Sequence, residues 1–447
     1  MSVLKRNFLH QSVLLMLLVI SASIPVSQVG AEPPPDYFVD ESKLPFDALP
    51  GASAYWGVHT GAGFRAEVPD NWNGGLVIWA HGSRTGLELT VQNHPLRELL
   101  IALGYAWAAS SYSRNDINVT TGVQDTHALL GHLTRLIGRP SLVYLTGGSL
   151  GGHVTAVSIE QYPQSYDAAL PICGVLADYE HYDAGLDLIA AAQQLGTGSS
   201  QFPVDPTTWI YITVPQIKAN LESVSGGWPI LLNGAGQNFK SLAQLRSGGV
   251  RPNFDEAWYF WNSLPGLVTG LPGNFLFDFA LTDGVLPRSP GIGLDNSDVV
   301  YQFDTDPALS PEEQDFNDSV FRLSADPQGR RGGLAQVPQV SGDITVPVLT
   351  LHNLGDLLVP ILNEVEYARR VNAKGKSDLL VQRAIRGVNH CDFTPNEFAT
   401  AFFDLALWVE AGIKPAGDNF LDEAAVADPS FGCAFTDGDH LLGTPCP

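Results

Sequence analysis

Residues 144–154, YLTGGSLGGHV, constrain the fold of this chain more than any other stretch. A short apolar run ends in Gly147-Gly148, a lone Ser149 follows, and Leu150-Gly151-Gly152 opens a helical pattern. A strand that gives way to a helix within one residue leaves that residue in a strained backbone conformation, and side chains larger than glycine beside it would collide. The glycine pairs therefore make sense where a buried strand runs straight into a helix packed on the same sheet. The turn also lifts the serine hydroxyl clear of the strand end. It sets the hydroxyl at a helix N-terminus, where unpaired N–H groups carry partial positive charge.

The surrounding chain has the rhythm that such a turn needs. LVIWAHG (76–82) is a continuous apolar run ending in glycine, as in a strand buried on both faces. PLRELLIALG has helical spacing and ends at Gly104. YAWAASSYS reads as the next strand, and TGVQDTHALLGHLTRLIG as the next helix, stopped by Gly138 and Pro140. SLVYLTG, SLGGHVTAVSIEQYP and YDAALPICG add strand, helix and strand. Strands alternating with helices imply parallel βαβ units with right-handed crossovers. From 177 to 343 the rhythm breaks into a stretch rich in Gly, Pro and aromatics, with four of the nine tryptophans between Trp209 and Trp261. This stretch reads as an inserted, mainly helical cap. The alternation then resumes with VPVLTLHN, ILNEVEYARRVNA, DLLVQRAI and PNEFATAFFDLALWVEAG. The expected architecture is α/β: residues 32–176 and 344–447 complete one mostly parallel sheet flanked by helices, and 177–343 is an excursion from it.

Composition narrows the function classes. In 447 residues, 24 Lys plus Arg face 47 Asp plus Glu, a formal charge of −23. Such a surface repels nucleic acid and anionic lipid, which argues against a nucleic-acid role. Lys5 and Arg6 precede an apolar run, and Val29-Gly30-Ala31 supplies small residues before EPPPD. That is the pattern of a cleaved secretory signal over 1–31. The run is short of the roughly 20 residues of a membrane span. The mature chain is expected to be secreted, extracellular or periplasmic, with no membrane partner and an oligomeric state that the sequence does not encode. In an exported chain Cys173, Cys391, Cys433 and Cys446 read as two disulfides. Cys433 and Cys446 flank a short loop and pair most economically, which leaves Cys173 with Cys391, although all three connectivities are formally open. No Cys/His spacing suits zinc, and no metal or organic cofactor is expected.

A serine hydroxyl is a poor nucleophile until a base takes its proton. Behind a G-x-S-x-G turn the partners are expected in the chain order Ser, Asp or Glu, His, each just past a strand. Asp356 in LTLHNLGDLLVP and His390 in IRGVNHCDFT occupy those positions. His390 would take the Ser149 proton, and Asp356 would hold the imidazole in the right tautomer and stabilise its charged form. An oxyanion hole needs two donors: the Leu150 N–H, directly after the serine, and the Ser83 N–H in His81-Gly82-Ser83-Arg84. His81 is expected to shape that loop and His153 to pack. His352, near Asp356, is the one rival base. His440 with Asp437 and Asp439 reads as an acidic loop.

Four motifs in this order, AHGS, GGSLGG, LGDLLVP and NHCDFT, resemble those of the α/β-hydrolase superfamily over residues ~54–176 and ~344–413. The resemblance implies an α/β-hydrolase fold and a serine hydrolase that works through an acyl-enzyme. Cys391 directly after His390 is similar to the tannases and feruloyl esterases. In that family the partner cysteine precedes the nucleophile, where this sequence has Gly148. The Gly-Gly-Ser-x-Gly-Gly elbow is similar to serine peptidases of the prolyl-oligopeptidase type, but too few residues precede the first motif for a propeller. The leading expectation is an exported esterase acting on apolar, aromatic or polymer-derived esters, the aromatic cap forming an apolar wall. A serine peptidase and a catalytically inactive binding scaffold are the alternatives.

Overall fold

The strands of the sheet are β1 (Ala52–His59), β2 (Ala62–Pro69), β3 (Gly75–Ala80), β4 (Ala106–Ser110), β5 (Leu142–Gly148), β6 (Ala168–Ile172), β7 (Val348–Asn353) and β8 (Leu380–Ile385). They are joined in the order β1-β2-β4-β3-β5-β6-β7-β8. The β1/β2 and β2/β4 pairs are antiparallel, and every pair from β4 to β8 is parallel. The protein is seen in a computed structural model that describes residues 36–447 apart from 203, 264–292, 328, 331–336, 439 and 441. The predicted signal, 1–31, and part of the predicted cap lie outside the described residues.

Strands β3, β4 and β6 are buried along their whole length, because helices cover both faces of the sheet. Side chains alternate between two layers. Leu76, Ile78 and Ala80 join α2 (Val119–Ile137) and α3 (Leu150–Gln161) on one face, while Val77 and Trp79 pack on the other with α1 (Arg97–Ala102). The β1–β2 hairpin was not anticipated. β1 alternates half-buried and exposed positions along the open edge, so it lacks the continuous apolar run that marks the central strands.

Between β6 and β7 the described residues form helices α4 (Tyr179–Thr197), α5 (Val214–Leu221), α6 (Gly234–Arg246), α7 (Phe254–Ser263) and α8 (Pro311–Ser319), and no strand. Trp209, Phe239, Phe254, Trp258, Phe260, Trp261 and Tyr301 are buried in one cluster there. These rings make the insertion's own core. After β7 come α9 (Leu362–Ala373) and α10 (Pro395–Ala411). α10 starts with a Thr394/Glu397 capping box and Pro395, and stops at left-handed Gly412, so both ends are set by local chemistry.

Candidate active site

Ser149 links β5 to α3 with φ 59° and ψ −123°, a conformation that non-glycine residues avoid. The glycines are required by contact. A Cβ on Gly151 would sit 1.9 Å from Ala80 O, and one on Gly147 would sit 2.3 Å from Gly151 O. The helix N-terminus is thus pressed against the end of β3, which bonded atoms at those positions would prevent.

Gly82 passes so close to this turn that a Cβ there would lie 3.2 Å from Ser149 Cβ. His81 stacks on Tyr112, with ring centroids 4.1 Å apart, and its Nδ1–H donates to Gly82 O at 2.7 Å. Burial pushes the His81 pKa down to about 4, so the ring is neutral at neutral pH. Because the Gly82 carbonyl and the Ser83 N–H share one planar peptide, fixing the carbonyl fixes the N–H. Among the described residues, neither Ser83 N nor Leu150 N donates a hydrogen bond to the protein.

Asp356 follows β7 and is fully buried. Its Oδ1 accepts the Leu358 and Val359 N–H groups, each at 2.9 Å, and its Oδ2 accepts His390 Nδ1–H at 2.6 Å. The carboxylate is thus fixed from both sides, and the imidazole is held in the tautomer that leaves Nε2 free to take a proton. His390 follows β8, and its side chain is 16 % exposed. The cysteines pair as Cys173–Cys391 and Cys433–Cys446, with Cα separations of 5.3 and 5.7 Å. Ser149 N–H donates to Ile172 O at 3.1 Å. The elbow is therefore tied to the end of β6, and the disulfide ties that end to the residue after His390. The Asp356–His390 half of the predicted triad is hydrogen-bonded. Among the described residues Ser149 Oγ makes no hydrogen bond to His390, whose Nε2 lies 3.4 Å from Cys391 Sγ.

A serine on a strained strand–helix turn after β5, an aspartate after β7 and a histidine after β8 now stand on one mostly parallel sheet. This is the α/β-hydrolase fold. No protein-family model matches the sequence, and none of the curated proteins is significantly similar to it. Among solved structures, the chain is similar to feruloyl esterase B from Aspergillus oryzae at 14% identity, over 80% of this chain and 80% of that one, with a TM-score of 0.43. It is similar to another esterase from Aspergillus oryzae at 16% identity, over 81% and 80%, with a TM-score of 0.42. A proline iminopeptidase from Mycobacterium smegmatis is similar at 14% identity, over 80% of this chain and all 100% of its own, with a TM-score of 0.39.

Other groups that serve this site gave no sequence signal. Trp261, from α7 of the insertion, donates its indole N–H to both Gly355 O at 3.0 Å and Val388 O at 2.9 Å. One donor thereby joins the loop that carries Asp356 to the loop that carries His390. Arg251 donates Nε–H to Leu354 O at 2.8 Å and is buried; that burial lowers its pKa to about 9. His352, the rival base, is wholly buried with Glu364 at one ring nitrogen and Val359 O at the other. His153 packs as expected, with Nε2 2.7 Å from Pro338 O. The His440 side chain is buried between Glu397, 2.9 Å away, and Asp392, 3.5 Å away. Asp439 lies outside the described residues.

Proposed function

We propose that the protein is an exported serine hydrolase of carboxylic esters. Ser149 Oγ attacks the ester carbonyl while His390 Nε2 takes its proton, forming a C–O bond and an oxyanion held by the Ser83 and Leu150 N–H groups. The tetrahedral adduct expels the alcohol, which receives that proton from His390. Water, deprotonated by the same nitrogen, then releases the acid and restores the serine. Asp356 holds the ring in place and stabilises the imidazolium. The observation that carries this reading is the Asp356–His390 pair, a buried carboxylate that accepts two backbone N–H groups and one imidazole N–H. Catalytic hydrogen bonds to a serine often tighten only when substrate is bound, so the open Ser149–His390 step is compatible with it.

Export is supported by two disulfides and by the signal pattern at 1–31. Among the described residues, no helix is long and apolar enough to cross a membrane. A fluorophosphonate probe should label Ser149 in the folded protein, and Ser149→Ala should not react. p-Nitrophenyl esters of increasing acyl length should be hydrolysed. Absence of labelling would refute the enzyme reading, and cleavage of peptide amides with no ester turnover would replace esterase by peptidase.

A further inference from the structure

Beneath the Asp356–His390 pair lies a second buried histidine–carboxylate pair, His352 with Glu364. His352 is the penultimate residue of β7 and Glu364 stands on the first turn of α9; both are wholly buried. Glu364 Oε1 lies 3.1 Å from His352 Nδ1, while Oε2 accepts Thr350 Oγ1–H at 2.6 Å and a Gln382 amide N–H. His352 Nε2 lies 2.6 Å from Val359 O. A carbonyl oxygen can only accept, so Nε2 carries a proton, and Nδ1 faces the Glu364 carboxyl group. Burial alone would lower the pKa of this ring, but the Glu364 bond and charge turn the shift upward. Other titratable groups that interact with it are Asp356 and, from α4, His181.

The Val359 residue has two functions in this chain of contacts. Its carbonyl is held by His352, and its N–H donates to Asp356 Oδ1 at 2.9 Å. The turn 356–360 is thereby pinned at the end opposite the catalytic carboxylate. Asp356 has no slack: rotation of the Val359 segment would pull a donor from one carboxylate oxygen and tilt the other away from His390.

We propose that His352, seated on Glu364, is a positioning residue that fixes the Asp356 turn through Val359 and so sets the Asp356–His390 geometry. The inference rests on the serine-hydrolase reading for its kinetic consequence, and on geometry alone for its spectroscopic one. Two substitutions separate the ring's two bonds. The amide nitrogen of Gln can reach where Nε2 sits, whereas that of Asn stops near Nδ1. H352Q should keep the Val359 bond, with kcat within about threefold of the parent. H352N should lose it, with kcat falling roughly 10- to 100-fold at nearly unchanged KM, since the residue does not touch substrate.

Proton and 15N-histidine NMR on the parent and both variants supplies a readout independent of turnover. In the parent, His352 Nε2 should stay protonated from acid to alkaline pH, and the hydrogen-bonded His390 Nδ1–H should give a far-downfield proton resonance. That resonance should survive in H352Q and vanish in H352N. Equal kcat and an equal downfield resonance in the two variants would overturn the proposal. So would an unprotonated His352 Nε2 in the parent, a test that needs no variant to fold. A parent that shows both NMR signatures but is not labelled by fluorophosphonate would refute the hydrolase reading while leaving the positioning role standing.

Discussion

The lip of the sheet and the insertion between β6 and β7 are held by different kinds of force. At the lip three non-glycine residues, Ser149, Cys173 and Cys391, have positive φ values of 59°, 43° and 54°. Each such residue costs on the order of 1–3 kcal/mol and persists only where its surroundings over-determine it. Here those surroundings are backbone hydrogen bonds, a disulfide and glycines pressed against neighbouring carbonyls. The insertion packs around its own aromatic cluster, and charged side chains pair at its edges. Asp183 pairs with Arg330, Asp187 takes Arg246 and the Tyr301 hydroxyl, and Asp178 and Glu180 of the α4 start both meet Arg370 of α9. Buried ion pairs nearly balance desolvation against attraction, so they specify arrangement more than they add stability. Geometry is therefore concentrated at the lip, and sensitivity to conditions in the insertion. Trp261 and Arg251 are the points where the second region reaches into the first.

If the lip alone sets the chemistry, damage there should dominate. Asp356→Asn should lower kcat by about 10⁴-fold while the thermal midpoint moves by a few degrees, because the imidazole loses its tautomer and its charge partner but not its packing. A loss under tenfold would show that Asp356 does not serve His390. Reducing the Cys173–Cys391 bond should cost roughly 10- to 100-fold in kcat, more than the accompanying loss of folded protein, since the tether spans the elbow and the base loop. Ester hydrolysis and circular dichroism followed together under a thiol titration check this, and unchanged activity in fully reduced protein would remove the tether from the mechanism.

Two smaller effects test the insertion. Trp261→Phe keeps the ring and removes the shared N–H, leaving two buried carbonyls without this donor. It should cost about tenfold in kcat with KM nearly unchanged; an effect on KM alone would make Trp261 a substrate contact. Burial raises the Asp183 carboxyl to about 7 despite Arg330, which acts in the opposite direction. Since its folded pKa stands above the unfolded value, the folded state binds more protons between roughly pH 4 and pH 7. Asp183 therefore makes the protein less stable as pH rises through that window. Urea denaturation at successive pH values should show that decline, and Asp183→Asn should flatten it. A variant that follows the parent's pH dependence would place the titration elsewhere.

The central strands were legible because burial on both faces demands unbroken apolar runs, as in 75–80 and 142–148. The elbow was legible because contacts of 1.9 and 2.3 Å leave no room for any residue but glycine at 151 and 147. Asp356 and His390 could be found from their places after β7 and β8. Nothing comparable marked the β1–β2 hairpin, whose outer strand carries a mixed pattern. Nor did anything mark Trp261, which looks like any core tryptophan until its N–H is seen between two distant carbonyls. Nor did the aromatic content of the insertion say which rings would form its core, as Trp209, Phe239, Phe254, Trp258, Phe260 and Trp261 do.

The sequence by itself determined the α/β architecture, the strained serine and the order in which acid and base follow it. These depend on local periodicity and on steric limits within a few residues, which a linear chain displays directly. Tertiary structure alone decided that Asp356 meets His390, that His81 orients the Gly82–Ser83 peptide, and that His352 is a buried partner of Glu364. A histidine's role is set by what faces its two nitrogens, and those neighbours are fixed only when distant segments pack together.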